Sequence, residues 1–169
     1  DYRKGMAEAL LNTGSRTDAV RARDVLREAV AMRGTDERSL YLLAEAERST
    51  GDSVAAESAA RRLVAQNPRN PQGFSALAEA LEDQRRYQPL VDALAPAVES
   101  FRGGNNSPLA LRLLLPHLGF AYQELGQYDK AIGAFEEARK ISPNDPSFLG
   151  YLIQAQMAAK NFTAAVDMA

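Results

Sequence analysis

The sequence predicts an all-helical chain in which about five antiparallel helix pairs repeat along the backbone. Three observations carry that expectation. The first is a period: Tyr128 and Phe162 lie 34 residues apart, and so do Ala131 and Ala165. Tyr87 precedes Tyr128 by 41 residues, the same period with seven inserted, and Gly51 precedes Gly126 by the sum of those two spacings. The second is composition: 46% of residues are hydrophobic, yet only 7% are aromatic and there is no Trp. Such a core must be rich in Ala, Leu and Val, which suits packed helices and not a sheet sandwich. The third is punctuation, because Asn70-Pro71, Ser107-Pro108 and Asp145-Pro146 each place an N-cap before a proline at the first helical position.

Taken in order, the units fall at approximately 1–34, 35–69, 70–104, 107–144 and 145–169, the last one truncated. In the first, Met6, Ala9 and Leu10 recur at helical spacing and Gly14 closes the helix. Its partner helix takes Thr17 or Asp18 as N-cap and runs to Arg33, with Val25, Leu26 and Val30 inward. The second unit opens on Thr35 as N-cap, with Asp36 and Glu37 in the dipole-favoured first turn. Leu40, Leu43 and Ala44 form its inner stripe, Gly51-Asp52 its turn, and Ala56, Ala60, Leu63 and Val64 its return, which Asn67-Pro68 ends. The third sets Phe74, Leu77, Ala78 and Leu81 against Leu90, Leu94, Ala97 and Val98. Pro89 suits the first turn of that return helix, whereas Pro96 should bend or loosen its middle.

Gly103-Gly104-Asn105-Asn106 is the clearest loop and reads as an insertion within one array, since the period resumes after it. A longer helix follows from Pro108 to Leu125. Pro116 lies inside it and removes the amide donor that the Arg112 carbonyl needs, so a kink or a fresh start is expected there. The last unit places Leu149, Leu152, Ile153 and Met157 at helical spacing, and Asn161-Phe162 makes its turn. The chain begins at Asp1 without Met and stops at Ala169 inside a helical pattern, which reads as a piece of a longer protein. Leu152, Val166 and Met168 are then expected to leave an apolar strip at that edge, with self-association through the C-terminal unit.

The densest signature runs from Leu118 to Pro143: Leu118-Gly119-x-x-Tyr122, Gly126-x-Tyr128-x-x-Ala131, Phe135-x-x-Ala138 and Ile141-x-Pro143. Gly119 and Ala131 remove bulk where two antiparallel helices cross, while Tyr122 and Phe135 fill the space between them. Gly126 permits the left-handed residue that ends a helix, and Pro143 forbids continuation. This pattern resembles the tetratricopeptide repeat. The resemblance implies a right-handed superhelix whose first helices line a concave groove that holds extended peptides or partner helices. Leu63 departs from the pattern, because the family prefers Ala there.

Carried over position by position, the resemblance assigns to that groove Tyr41, Glu45 and Arg48, then Ser75, Glu79, Glu82 and Asp83. Further along it assigns Pro116, Phe120, Gln123 and Glu124, then Gly150, Gln154 and Met157. The groove so drawn is acidic in its middle and more apolar toward the C-terminus, which suits a basic-then-apolar partner segment. The clamp that some relatives close on chaperone tails needs Lys and Asn along these helices. Here Lys4 fits but Glu8 stands where Asn should be, which argues against that ligand.

Chemistry is sparsely provided for. There is one histidine, His117, and no cysteine, so no thiolate metal site or disulfide framework exists. No nucleophile elbow occurs, and Gly103-Gly104 lacks the strand and the Gly-Lys-Ser/Thr of a phosphate loop. The net charge of −2 and a pI near 5.5 give no reason to expect nucleic acid, and no apolar run approaches a membrane span. The expectation is a non-enzymatic protein-interaction scaffold without cofactor or metal; the alternative is a docking or regulatory module of a larger enzyme such as a transferase, kinase or protease. RNA-binding helical hairpins use a 35-residue unit and a basic face, which this chain does not offer. The compartment is left open between cytoplasm and periplasm. Arg in excess of Lys, with abundant Ala, points to a bacterial source of high GC content.

Overall fold

The computed structural model describes residues 2–32, 36–103 and 107–168, and among these it contains helices and no strand. The helices are α1 (Tyr2–Leu11), α2 (Arg16–Met32), α3 (Glu37–Thr50), α4 (Ser53–Gln66), α5 (Pro71–Asp83), α6 (Tyr87–Gly103), α7 (Pro108–Glu124), α8 (Tyr128–Ile141), α9 (Pro146–Ala158) and α10 (Phe162–Met168). They form two compact units, residues 1–85 and 86–169. In the first, α1 packs with α2 and α3 with α4, and α5 closes the unit against both α3 and α4. In the second, α6 packs on α7, α7 on α8, α8 on α9 and α9 on α10.

Why the chain breaks where it does is visible at the helix ends. Gly51 (φ 91°) and Gly126 (φ 71°) are left-handed, as the turn requires. Each then closes a paired cap. Gly51 N–H donates to Arg48 O and Asp52 N–H to Glu47 O, both at 2.9 Å. Gly126 N–H donates to Gln123 O at 3.0 Å and Gln127 N–H to Tyr122 O at 2.8 Å. Asn70, Ser107 and Asp145 cap α5, α7 and α9 as expected, each accepting an amide N–H of the first turn.

Several expectations are corrected. Thr35 lies outside the described residues; Asp36 caps α3, its Oδ1 accepting Ser39 N–H at 3.1 Å and its Oδ2 the Ser39 hydroxyl at 2.7 Å. The α2 helix starts one residue before Thr17, with Ser15 O accepting Ala19 N–H at 2.9 Å. Asp18, half-buried, instead accepts the Thr13 hydroxyl at 3.0 Å. In α1 the buried residue is Ala7, while Met6 and Ala9 are exposed. Leu10, three residues on from Ala7, is half-buried on the same face. Pro116 does not give its helix a fresh start: α7 runs through it unbroken, as α6 does through Pro96. One missing donor per proline leaves the rest of each hydrogen-bond ladder intact, and Arg112, whose carbonyl loses its partner, is exposed to water. Of the Gly103–Asn106 loop, Gly103 ends α6, and 104–106 lie outside the described residues.

The cores follow one rule of large against small. Leu63 is fully buried, and a Cβ on Gly73 would stand 3.1 Å from its Cγ. The departure from Ala at position 63 is thus matched by a glycine on the next helix. In the second unit the partners reverse in order: Phe135 is fully buried, and a Cβ on Gly119 would fall 2.5 Å from Phe135 Cε1. Only glycine leaves room for that ring. Ala131, Leu152 and Ala155 complete the cluster around it, so Leu152 is core and not part of an open strip.

Candidate functional site

The first unit gathers its assigned residues on α3 and α5. Tyr41, Glu45 and Arg48 follow one another at four- and three-residue steps and so share one face of α3. Ser75, Glu79, Glu82 and Asp83 do the same on α5, which packs beside it. Arg48 joins the two helices, with Nε 3.2 Å from Glu79 Oε2 and Nη1 4.0 Å from Asp83 Oδ2. Ser75 is buried, 6% exposed, and its hydroxyl lies 3.4 Å from Glu79 Oε1. It therefore forms floor and not surface, a correction to the sequence assignment.

The electrostatics of this face are uneven. Arg48 is spent on Glu79 and Asp83, and Glu45 has no hydrogen bond or ion pair among the described residues. Burial, and then the nearby Glu79 carboxylate, raises the Glu45 pKa above the ordinary glutamate value, with Arg48 pulling the other way. Tyr41 is raised too, by burial first and then by Glu45 and Glu79. The Arg38 guanidinium stands 5.6 Å from the centre of the Tyr41 ring. Arg38 is itself paired with Glu8 of α1. Local negative charge is left over at Glu45.

The second unit is different in kind. On α7, Pro116, Phe120 and Gln123 are half-buried and Glu124 is exposed; on α9, Gly150, Gln154 and Met157 are exposed. Phe120 bridges the two helices, edge-on to the Tyr151 ring at 4.7 Å and to Phe135 at 5.3 Å. It is as much a packing residue as a surface one. The Gln123 Oε1 atom is buried without a hydrogen-bond partner among the described residues. Sequence reasoning missed Tyr151, although its three-residue spacing from Phe148, with which it also stacks at 6.1 Å, was there to be read. It also missed Arg27–Glu47, joining α2 to α3 across 20 residues, for which the sequence carries no local signal. Among the described residues no cluster of His, Asp or Glu could hold a metal ion, and no helix is long and apolar enough to cross a membrane.

Models of the tetratricopeptide repeat match residues 4–71 and 41–89, and again 117–145. The chain belongs to the tetratricopeptide repeat family. Solved structures agree on the fold. PilF of Pseudomonas aeruginosa superposes with a TM-score of 0.74 at 18% identity, over 99% of this chain and 75% of that one. A crystal structure of MamA gives 0.73 at 20%, over 99% and 86%, and MamA of Desulfovibrio magneticus gives 0.72 at 20%, over 96% and 90%. No curated protein matches the chain in sequence. Tetratricopeptide repeat proteins are in general interaction scaffolds, and the family fold supports a protein-interaction role here. The repeat models leave 90–116 and 146–169 unmatched, and the first of these stretches contains both internal prolines, Pro96 and Pro116.

Proposed function

We propose that this tetratricopeptide repeat chain is a non-enzymatic scaffold, its repeats forming one array, that holds a partner protein segment on the groove faces of its first helices. The α3–α5 face takes a basic stretch, and the α7–α9 face, with Phe120 and Met157, takes an apolar one. The observation that carries this reading is Glu45: a partly buried carboxylate beside Glu79, with the nearest arginine already engaged. A partner lysine or arginine would supply the missing charge and offset the cost of holding the carboxylate there. Exposed Met157, Phe162 and Val166 on α9 and α10 support self-association of the C-terminal unit as a second mode of contact.

Fluorescence anisotropy with three labelled peptides tests the main reading: Lys/Arg-rich with a following Leu-Phe-Leu run, the same with Glu for Lys/Arg, and the same with Ser for the apolar run. The basic-apolar peptide should bind best and weaken with salt. Glu45→Gln with Glu79→Gln should reduce its affinity by about fivefold or more, a loss on the order of one charge pair. Equal binding of the acidic peptide, or indifference to the double substitution, would reject the basic partner.

A further inference from the structure

The side of the first unit formed by α2 and α4 carries a feature that the groove faces leave unused. Between these helices, floored by α3, lies a cavity of about 370 Å³, within the size range of ligand pockets, roughly 300–1,000 Å³. Its walls are apolar: Val30 and Ala31 from α2, Leu43 from α3, Ala55 and Ala59 from α4. Three of those five are alanines, and short side chains on both facing helices leave room for one larger side chain from elsewhere.

The charges around the cavity are not balanced. Arg27, Glu47 and Arg62 all line it. Glu47 is 2% exposed and fully engaged, accepting Arg27 Nε at 2.6 Å and Nη2 at 2.9 Å. That fork-to-fork pair neutralises both partners. Arg62 is what remains: an exposed guanidinium on α4 with no hydrogen bond or ion pair among the described residues. The cavity therefore presents an apolar recess with one unspent positive charge at its mouth, and the Ser58 hydroxyl on the same rim.

We propose that this cavity binds a partner protein segment in which an apolar side chain stands beside a carboxylate. The apolar group seats against Leu43, Ala55 and Ala59, and the carboxylate pairs with Arg62. This rests on the scaffold reading only in taking a protein as the occupant; the residues and the charge preference are different. The α3–α5 face selects for a cation and this one for an anion, so the two faces of a single unit discriminate between segments of opposite sign.

The test is nitrogen-15 chemical-shift mapping on the whole chain with three probes. N-acetylphenylalanine carries both the ring and the carboxylate, N-acetylphenylalaninamide lacks the charge, and N-acetylalanine lacks the ring. The first should saturate shifts at Ala55, Ser58, Ala59 and Arg62, and the other two should bind about threefold to tenfold more weakly. Arg62→Gln should bring the acid's affinity down to that of the amide. Ala55→Leu, filling the cavity from its half-exposed rim, should weaken all three. The proposal is overturned if acid and amide bind alike, if Arg62→Gln changes nothing, or if no saturable shift appears at these residues. Basic-peptide binding, read through Glu45 and Glu79, is a separate measurement, so either idea can fail while the other stands.

Discussion

The two units solve the same packing problem with different chemistry. In residues 1–85 the helices are tied by polar side chains reaching across them. Arg27 clamps Glu47, Asn67 and Asn70 both donate to Glu37 at 2.9 and 2.8 Å, and Gln84 Nε2 donates to Ser53 O, Glu57 Oε2 and Ala80 O. In residues 86–169 rings take over. Phe120, Phe135, Phe148 and Tyr151 pack as one ring cluster, edge to face except for the tilted Phe135–Tyr151 pair, and Arg102, paired with Glu99 on its own helix, also ties α6 to Glu137 of α8. Apolar burial is indifferent to pH and salt strengthens it, if anything, whereas charged ties depend on both. The first unit should therefore answer to solution conditions and the second to side-chain volume.

The sharpest way to break that contrast is to empty the ring cluster. Phe135→Ala removes a fully buried ring and leaves Gly119 facing a void, so a loss of about 3–5 kcal/mol is expected. Chemical denaturation gives the size, and hydrogen exchange should place it in α7, α8 and α9. A comparable loss of protection in α2–α4 would mean that the two cores are not separate. The counterpart in the first unit is Arg27→Ala. It strands Glu47, 2% exposed, without its donors, at a cost of about 1–3 kcal/mol. Replacing both, Arg27→Met with Glu47→Leu, should restore most of that. If the double variant is no better than the single one, the pair holds geometry that apolar packing does not replace.

What the sequence could and could not show follows the same division. Residues whose role is set by their own helix were legible: Leu40, Leu43, Leu77, Leu81, Leu90, Leu94 and Val98 all lie in the core as their spacing predicts. So were caps formed by the next few residues, as at Asn70 and Asp145. Ties between helices were not, because Arg27 and Glu47, or Glu37 and Asn67, are related only through the fold. The family resemblance brought Glu45, Arg48, Glu79 and Asp83 to one face but could not say that Arg48 would be consumed there. Nor could it show that α2 and α4 leave a recess, which depends on the sum of several small side chains and on no single motif.

A smaller effect compares the turns. Each unit has helix ends on a left-handed glycine, Gly14 and Gly51 in the first and Gly126 in the second, and one on a left-handed cation, Arg85 (φ 54°) or Lys160 (φ 63°). Lys160 N–H donates to Met157 O at 3.0 Å and Asn161 N–H to Gln156 O at 2.9 Å, the same paired cap that Gly126 makes. A side chain in that conformation is strained where glycine is not. Lys160→Gly and Arg85→Gly should each stabilise by about 0.5–1 kcal/mol in thermal melts, the relief of strain exceeding the extra freedom of the unfolded chain. Destabilisation by either would show that the long cation contributes more than its backbone strain costs.

The finest distinction lies within the first unit, between two perturbed carboxylates, Asp36 and Glu45. Burial would raise Asp36, but hydrogen bonds from the Ser39 hydroxyl and amide, and Lys4, outweigh it and hold its pKa below the usual aspartate value. Such a group contributes stability above its unfolded pKa, and that contribution is lost as pH falls through the lowered folded value. Glu45 behaves in the opposite sense. Its folded pKa is raised, by burial and then by Glu79, so the folded state binds the proton more tightly and the charged form costs stability as pH rises through the carboxylate range. Glu45→Gln should therefore stabilise the chain at pH 7 by no more than about 0.5 kcal/mol, and the gain should vanish below the ordinary glutamate pKa, where both side chains are neutral. Asp36→Asn should do the reverse, destabilising at pH 7 and converging with the parent only in more acid solution. Urea titrations of both variants at pH 3, 5 and 7 resolve the two slopes. A Glu45→Gln variant that is less stable than the parent at pH 7 would mean that the carboxylate is already satisfied in the free protein, and with it the main reason for assigning this face a basic partner would go.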